Sequence, residues 1–301
     1  MTSPRVLLAG LGVVVLWASA FPAIRVAAPE LGVAGLSFIR LLIAAVALIA
    51  LAPMLKVRMP ARRDLPLILG CAFLGMAAYQ VLLNWGELYV PAGTASIIVS
   101  AAPLVSVAIA AGLFGERLTA LKIAGSAVAI AGVAMVSLAR SGFSLSGAVW
   151  ILIAAMVVQG AYHPLTKPLL KKYSGLEVAT YGMIAGTLML APTVPFAWDV
   201  MAGADASAWW AAVYLGLAPS ALGFVLWGFA VSRMPVVAAT SLLYLVPPVA
   251  VGIAFVWLGE LPLVSELAGG VVVIAGVVTM SVGDLAGRRV RSRAQGMRRA
   301  R

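Results

Sequence analysis

The sequence predicts an all-α integral membrane protein with ten transmembrane helices, arranged as two five-helix inverted repeats. Of 301 residues, 63% are hydrophobic and 10% charged, more apolar surface than a soluble fold of this length can bury or so few charges can cover. The apolar residues fall in runs of about 20, each long enough to cross a hydrocarbon core of roughly 30 Å as a helix. The chain also matches itself at a nearly fixed offset, the mark of internal repetition.

The first half supplies runs at Val6 to Ala27, Gly32 to Ala52, Leu65 to Asn84, Thr94 to Phe114 and Leu121 to Ala139. The second supplies Ser146 to Leu165, Leu176 to Phe196, Trp209 to Trp227, Val236 to Leu258 and Val264 to Val282. Arg5, the first run and Ala18-Ser19-Ala20 imitate a secretory cleavage pattern. The run continues past that point and its patch recurs deep in the chain, so the first run reads as a retained span.

The repeat is anchored by Trp17-Ala18-Ser19-Ala20-Phe21-Pro22, which an offset of 142 carries onto Gln159-Gly160-Ala161-Tyr162-His163-Pro164. The same offset carries Pro53 onto Pro195, Trp85 onto Trp227 and Gly86 onto Gly228. After a slip of two residues, Pro103 to Ser137 matches Pro247 to Ser281 at 15 of 35 positions. Residues 1–142 and 143–284 are therefore expected to be two copies of one fold, with 285–301 a basic cytoplasmic tail. Five spans per copy is an odd number, so the second copy must enter the membrane from the opposite side. That inversion recurs in secondary transporters, which bind substrate near the midplane and alternate access by rocking.

The net charge of +11 does not point to nucleic acid, because the basic residues lie in short connections and in the tail. With the N-terminus inside, 18 of the 21 Lys and Arg residues fall on the cytoplasmic side, leaving Arg25, Arg40 and Arg140 on the other. Such asymmetry predicts both termini inside, and the tail adds contact with anionic lipid headgroups. The lone Cys71 lies in an apolar run, which excludes an intramolecular disulfide and reads as an inert buried thiol.

Candidate functional residues are few. The ten acids, Glu30, Asp64, Glu87, Glu116, Glu177, Asp199, Asp205, Glu260, Glu266 and Asp284, fall at span ends or in loops. A carboxylate relay within the membrane is not expected on that count, and facilitated export, or coupling through a less obvious group, is. One His, one Cys and peripheral acids supply neither a catalytic cluster nor a metal site, so an enzyme is not expected and no cofactor is implied. His163, at the place of Phe21 in the other copy, either bonds a carbonyl freed by Pro164 or faces a cavity. Arg40 reads as snorkelling to the outer interface or bonding carbonyls between helices, ahead of binding a substrate carboxylate. Ser96, Ser100 and Pro103 share one helix face and map onto Thr240, Tyr244 and Pro247, a pattern suited to interhelical bonds or a cavity lining. Trp17, Tyr79, Ser100, Gln159, His163, Trp227 and Tyr244 are the expected substrate lining. Pro22, Pro103, Pro164, Pro247 and Pro248 are the expected points of helix bending. Gly125, Gly132, Gly269 and Gly276, and the pair Gly182 and Gly186, read as packing seams or a dimer face. The oligomeric state is open and compatible with a monomer.

The Trp-Ala-Ser-Ala-Phe-Pro patch, the Arg40-Leu-Leu-Ile-Ala-Ala stretch, and the paired span ends Leu113-Phe114-Gly115-Glu116 and Trp257-Leu258-Gly259-Glu260 resemble the EamA-type drug/metabolite transporters. The likeness runs over about residues 5–283 and is similar to that of the bacterial YddG-type exporters of aromatic amino acids. It implies ten helices around a central cavity, location in the bacterial cytoplasmic (inner) membrane, and export of aromatic and other bulky apolar amino acids. Gln159 in place of the first copy's tryptophan and His163 in place of Phe21 imply an asymmetric cavity.

Overall fold

The computed structural model describes residues 4–114, 120–141, 147–231, 233 and 243–279. The first helical element, α1 (Pro4–Leu51), holds two arms, because Gly32 adopts φ 68° and ψ 162° and breaks the helix. Only glycine enters that region without steric penalty, so one residue separates the first two apolar runs. There follow α2 (Arg62–Glu87), α3 (Ala92–Val99), α4 (Ala102–Phe114), α5 (Ala120–Ser141) and α6 (Gly147–Leu170). The remainder is α7 (Gly175–Ala202), α8 (Ala206–Ala230), α9 (Val246–Leu258) and α10 (Val264–Thr279). Among the described residues, α1, α2, α6, α7 and α8 are long and apolar enough to cross a membrane, while shorter apolar helices lie at Ala92–Ser106, Ile123–Val136, Val246–Leu258 and Val264–Thr279.

Irregularities fall at matching places in the two halves. A π-turn at Phe73–Ala78 interrupts α2, and another at Gly216–Leu222 interrupts α8. The offset of 142 nearly superimposes them. The run expected as one helix from Thr94 is broken between α3 and α4 at Ser100 and Ala101, while a 3-10 turn at Leu243–Leu245 precedes α9. Pro103, Pro247 and Pro248 consequently sit in the first turn of a restarting helix and not within a continuous one. There the missing N–H costs nothing. Pro22 and Pro164 do lie inside unbroken helices and are buried.

The two halves interlock. Helix α1 packs against α7, α8 and α9, while α6 packs against α2 and α4. Helices α5 and α10 meet backbone to backbone. A β-carbon on Gly276 would stand 2.4 Å from the Ala129 nitrogen, and one on Gly132 would stand 2.6 Å from the Val273 nitrogen. Gly182 and Gly186 face Met76 of α2. Both glycine pairs therefore form seams within the chain, where missing side chains let helices approach.

Candidate functional site

A buried polar network joins the second arm of α1, the far end of α2 and the π-turn of α8. Of the two structural roles expected for Arg40, the structure shows a bond between helices and not snorkelling, for it is only 4% exposed. Its Nε and Nη2 donate to Ser220 Oγ at 3.4 and 3.2 Å. Gly216 permits the approach, because a β-carbon there would lie 2.7 Å from Ile43 Cβ and 3.1 Å from the Arg40 carbonyl oxygen. One turn before Arg40, Ser37 Oγ donates to the Val33 carbonyl at 2.6 Å and accepts from Asn84 Nδ2 at 2.8 Å. Gln80, Asn84 and Glu87 follow one face of α2 at helical spacing, and all three are buried. Tyr79 and Glu87 lie within electrostatic reach of Arg40. Several polar atoms here lack a hydrogen-bond partner: Arg40 Nη1, Gln80 Oε1, Asn84 Oδ1 and both carboxyl oxygens of Glu87.

An aromatic cluster stands beside this network. The Trp17 ring lies 5.4 Å from those of Phe224 and Trp227, and its Nε1 donates to the Pro219 carbonyl in the α8 π-turn at 3.1 Å. Two residues on, Ser19 Oγ and Tyr214 Oη are 2.6 Å apart. Trp17 and Trp227, both named from sequence, are thus brought together.

The other expected lining residues are dispersed. Ser100 Oγ donates back to the Ser96 carbonyl and Ser96 Oγ to that of Gly93, at 2.7 and 2.6 Å. These hydroxyls satisfy their own helix, not a neighbouring one. Gln159 is 8% exposed, and its Oε1 also lacks a partner. His163 is half-buried with its ring 5.6 Å from that of Tyr162. The carbonyl that Pro164 frees, that of Gly160, accepts from Ser106 Oγ of α4 at 2.7 Å, so His163 does not serve it. Tyr244 lies in the 3-10 turn before α9, and the side-chain position of Tyr244 and all of Thr240 lie outside the described residues.

Charged ties close the bundle at both ends. At one, Arg58 Nε and Nη2 grip the two Glu177 carboxylate oxygens at 2.7 and 3.1 Å, and the carboxylate holds that guanidinium above its ordinary range. Glu177 also completes a capping box with Ser174 at the start of α7. Asp64 accepts from Lys172 Nζ at 2.6 Å and Tyr173 Oη at 2.8 Å. At the other end Arg25 Nη1 donates to the carbonyls of Glu87 and Leu88 at 2.5 and 3.1 Å, and its Nε to Glu260 Oε1 at 3.3 Å. Gly259, in the left-handed region, ends α9 and turns Glu260 toward Arg25 and the Ala92 N–H, 2.9 Å from its Oε2. Each set of ties crosses from the first half to the second.

Residues 4–138 and 145–282 each match the EamA-like transporter family. A protein of Streptantibioticus cattleyicolor named "Probable terminal-alkyne amino-acid exporter" is 54% identical over 92% of this chain and 93% of its own length. "Uncharacterized transporter YdfC" of Bacillus subtilis is 35% identical over 87% and 86% of the two. "Probable amino-acid metabolite efflux pump" of Salmonella typhimurium is 27% identical over 88% and 91%. A solved structure described as "Crystal structure of protein" aligns at TM-score 0.63 and 19% identity over 96% of this chain and 99% of that one, a likeness of fold alone. With the family matched over both halves, this chain belongs to the EamA-like transporters and is a multi-pass membrane transporter, not an enzyme.

Proposed function

We propose that the protein exports amino acids with apolar side chains, aromatic and other bulky ones foremost, across the bacterial cytoplasmic membrane by alternating access. In this reading ten spans form two inverted repeats of residues 1–142 and 143–284, with both termini cytoplasmic. The double family match and the π-turns at repeat-related positions support the repeat. The observation that carries the cargo is the juxtaposition of the Trp17, Phe224 and Trp227 rings with the Arg40 network. Apolar walls beside a few fixed polar groups suit an apolar amino acid. Trp17, Tyr79, Ser100, Gln159, His163, Trp227 and Tyr244 are its proposed lining, and Pro22, Pro103, Pro164, Pro247 and Pro248 its bending points. The name of the 54% identical relative favours, as a second reading, a slimmer unsaturated side chain ending in an alkyne.

Proteoliposomes test both. Saturable uptake of labelled phenylalanine or of a terminal-alkyne amino acid is expected, and a cationic dye is not carried. Movement of the dye with neither amino acid overturns the reading. Substituting Ala singly at Tyr79, His163 and Tyr244 is expected to cut transport about tenfold, the scale of 1.4 kcal/mol of lost interaction, with the protein still in the membrane. Normal transport by all three variants removes them from the lining.

A further inference from the structure

Glu87 stands at a span end, as expected, being the last residue of α2, but its position in the sequence does not show how it is covered. It is wholly buried, at 0% exposure, and neither carboxyl oxygen has a hydrogen-bond partner. The other buried acids of the described residues are provided for. Asp64 and Glu177 have the partners given above, and Glu266 accepts from Thr94 Oγ1 at 2.5 Å and the Leu263 N–H at 2.8 Å. A buried carboxylate without donors is among the most costly groups a protein can hold. A carboxylic acid in the same place carries no charge.

The surroundings show what would change that state. From the first arm of α1, Arg25 reaches the backbone carbonyl of Glu87 but spends its side chain on that carbonyl, on Leu88 and on Glu260. From the second arm, Arg40 bonds Ser220 and keeps one buried nitrogen unpartnered. The ionisable groups in electrostatic reach of Glu87 are Arg25, Arg40 and Glu260, together with Tyr79 on its own helix. Helix α6 brings Leu152 against neighbouring Gly86, and its only imidazole, His163, lies eleven residues further along. Two arginines thus stand near an acid they do not neutralise, one of them occupied by the tie that closes this end of the bundle.

We infer that Glu87 is a proton-binding site that links closure of the Arg25–Glu260 end to protonation, and thereby couples export to an inward proton gradient. The inference rests on the export reading for its direction only. With this end open to the outer water, Glu87 is a carboxylate paired with a freed arginine. Taking a proton from a hydronium ion there leaves a neutral acid and one water, and the ties of Arg25 to the Glu87 and Leu88 carbonyls and to Glu260 can then form. After the empty carrier reorients, the proton leaves to cytoplasmic water and cargo binds. A buried, unpartnered acid at the end of a membrane helix is a functional candidate for the reason that an intramembrane one is, and this one supplies a proton site that the positions of the acids in the sequence did not suggest.

Two measurements test it. Infrared spectroscopy of the full chain reconstituted in lipid, without cargo, is expected to show at neutral pH the carbonyl stretch of a protonated carboxyl free of strong hydrogen bonds. The band should vanish in Glu87→Gln and persist in Asp199→Asn, which alters an exposed acid outside this network. Its absence from the wild type, or its survival in Glu87→Gln, overturns the proposal; should Glu87→Gln fail to fold, the wild-type band, its loss on raising pH and its persistence in Asp199→Asn decide the matter. In proteoliposomes, an imposed gradient of about one pH unit should raise the accumulation ratio of labelled phenylalanine about tenfold for one proton per cargo, and Glu87→Gln should not respond. Phenylalanine flux indifferent to the gradient overturns the coupling and leaves the cargo reading standing. A band without amino acid flux does the reverse.

Discussion

Gly276→Val lowers the stability of the transporter by about 1–3 kcal/mol, the usual range for overpacking a filled interior, and cuts the yield of folded protein. The obstacle is backbone. The new β-carbon would meet the Ala129 nitrogen at 2.4 Å and the Gly125 carbonyl oxygen at 2.6 Å, and neither can swing aside as a side chain does. Helices α5 and α10 would have to part along the whole seam. Gly132→Val, facing Val273 and Gly269, is expected to behave alike. Gly252→Ala is the control, since nothing lies within 4 Å of its added carbon and helix propensity favours alanine there. Thermal unfolding in detergent compares the three, and equal midpoints would show that the two helices do not share a tight seam.

The second large effect is expected at the opposite end. Arg58→Ala removes the guanidinium's bonds to Glu177 and to the Lys172 carbonyl, while sparing the backbone N–H bond of residue 58 to Glu177 and the Ser174 and Glu177 capping box that starts α7. Cys71 reports the outcome without engineering, because it is the only thiol, is buried, and belongs to the same core cluster as Tyr181, whose hydroxyl donates to the Arg58 carbonyl. If opening is a minor state of about 1% that the substitution raises toward 10%, maleimide labelling of Cys71 accelerates about tenfold. An unchanged labelling rate would mean that the Arg58 contacts do not hold this end shut.

Much of the architecture was legible in the sequence, because apolar run length and self-similarity are properties of the chain as a string. The glycines of the α5 and α10 seam were found the same way. What escaped depends on where helices lie relative to one another. Arg40 was left between snorkelling and a bond to another helix because its partner, Ser220, is 180 positions away. Glu87 looked peripheral because its place at the end of α2 says nothing of what covers that end. Ser96 and Ser100 fit one face of an ideal helix, yet both turn back on their own backbone beside a break that composition does not announce. The π-turns left only the faint signal of Gly75, Gly216 and Pro219. Tertiary contact, not local pattern, decides all four.

The interlocking of the halves sets an order of events during synthesis. Trp17 and the Pro219 carbonyl it bonds are separated by 202 residues, which at about 5–20 residues per second takes a ribosome roughly 10–40 seconds to traverse. For most of that interval α1 is without α7, and for all of it without a complete α8 or any of α9. Arg40 lacks Ser220 and Arg25 lacks Glu260, so the chain holds uncompensated polar groups until its second half arrives. A truncated first half would keep them permanently, which makes it a substrate for quality control and not a smaller transporter.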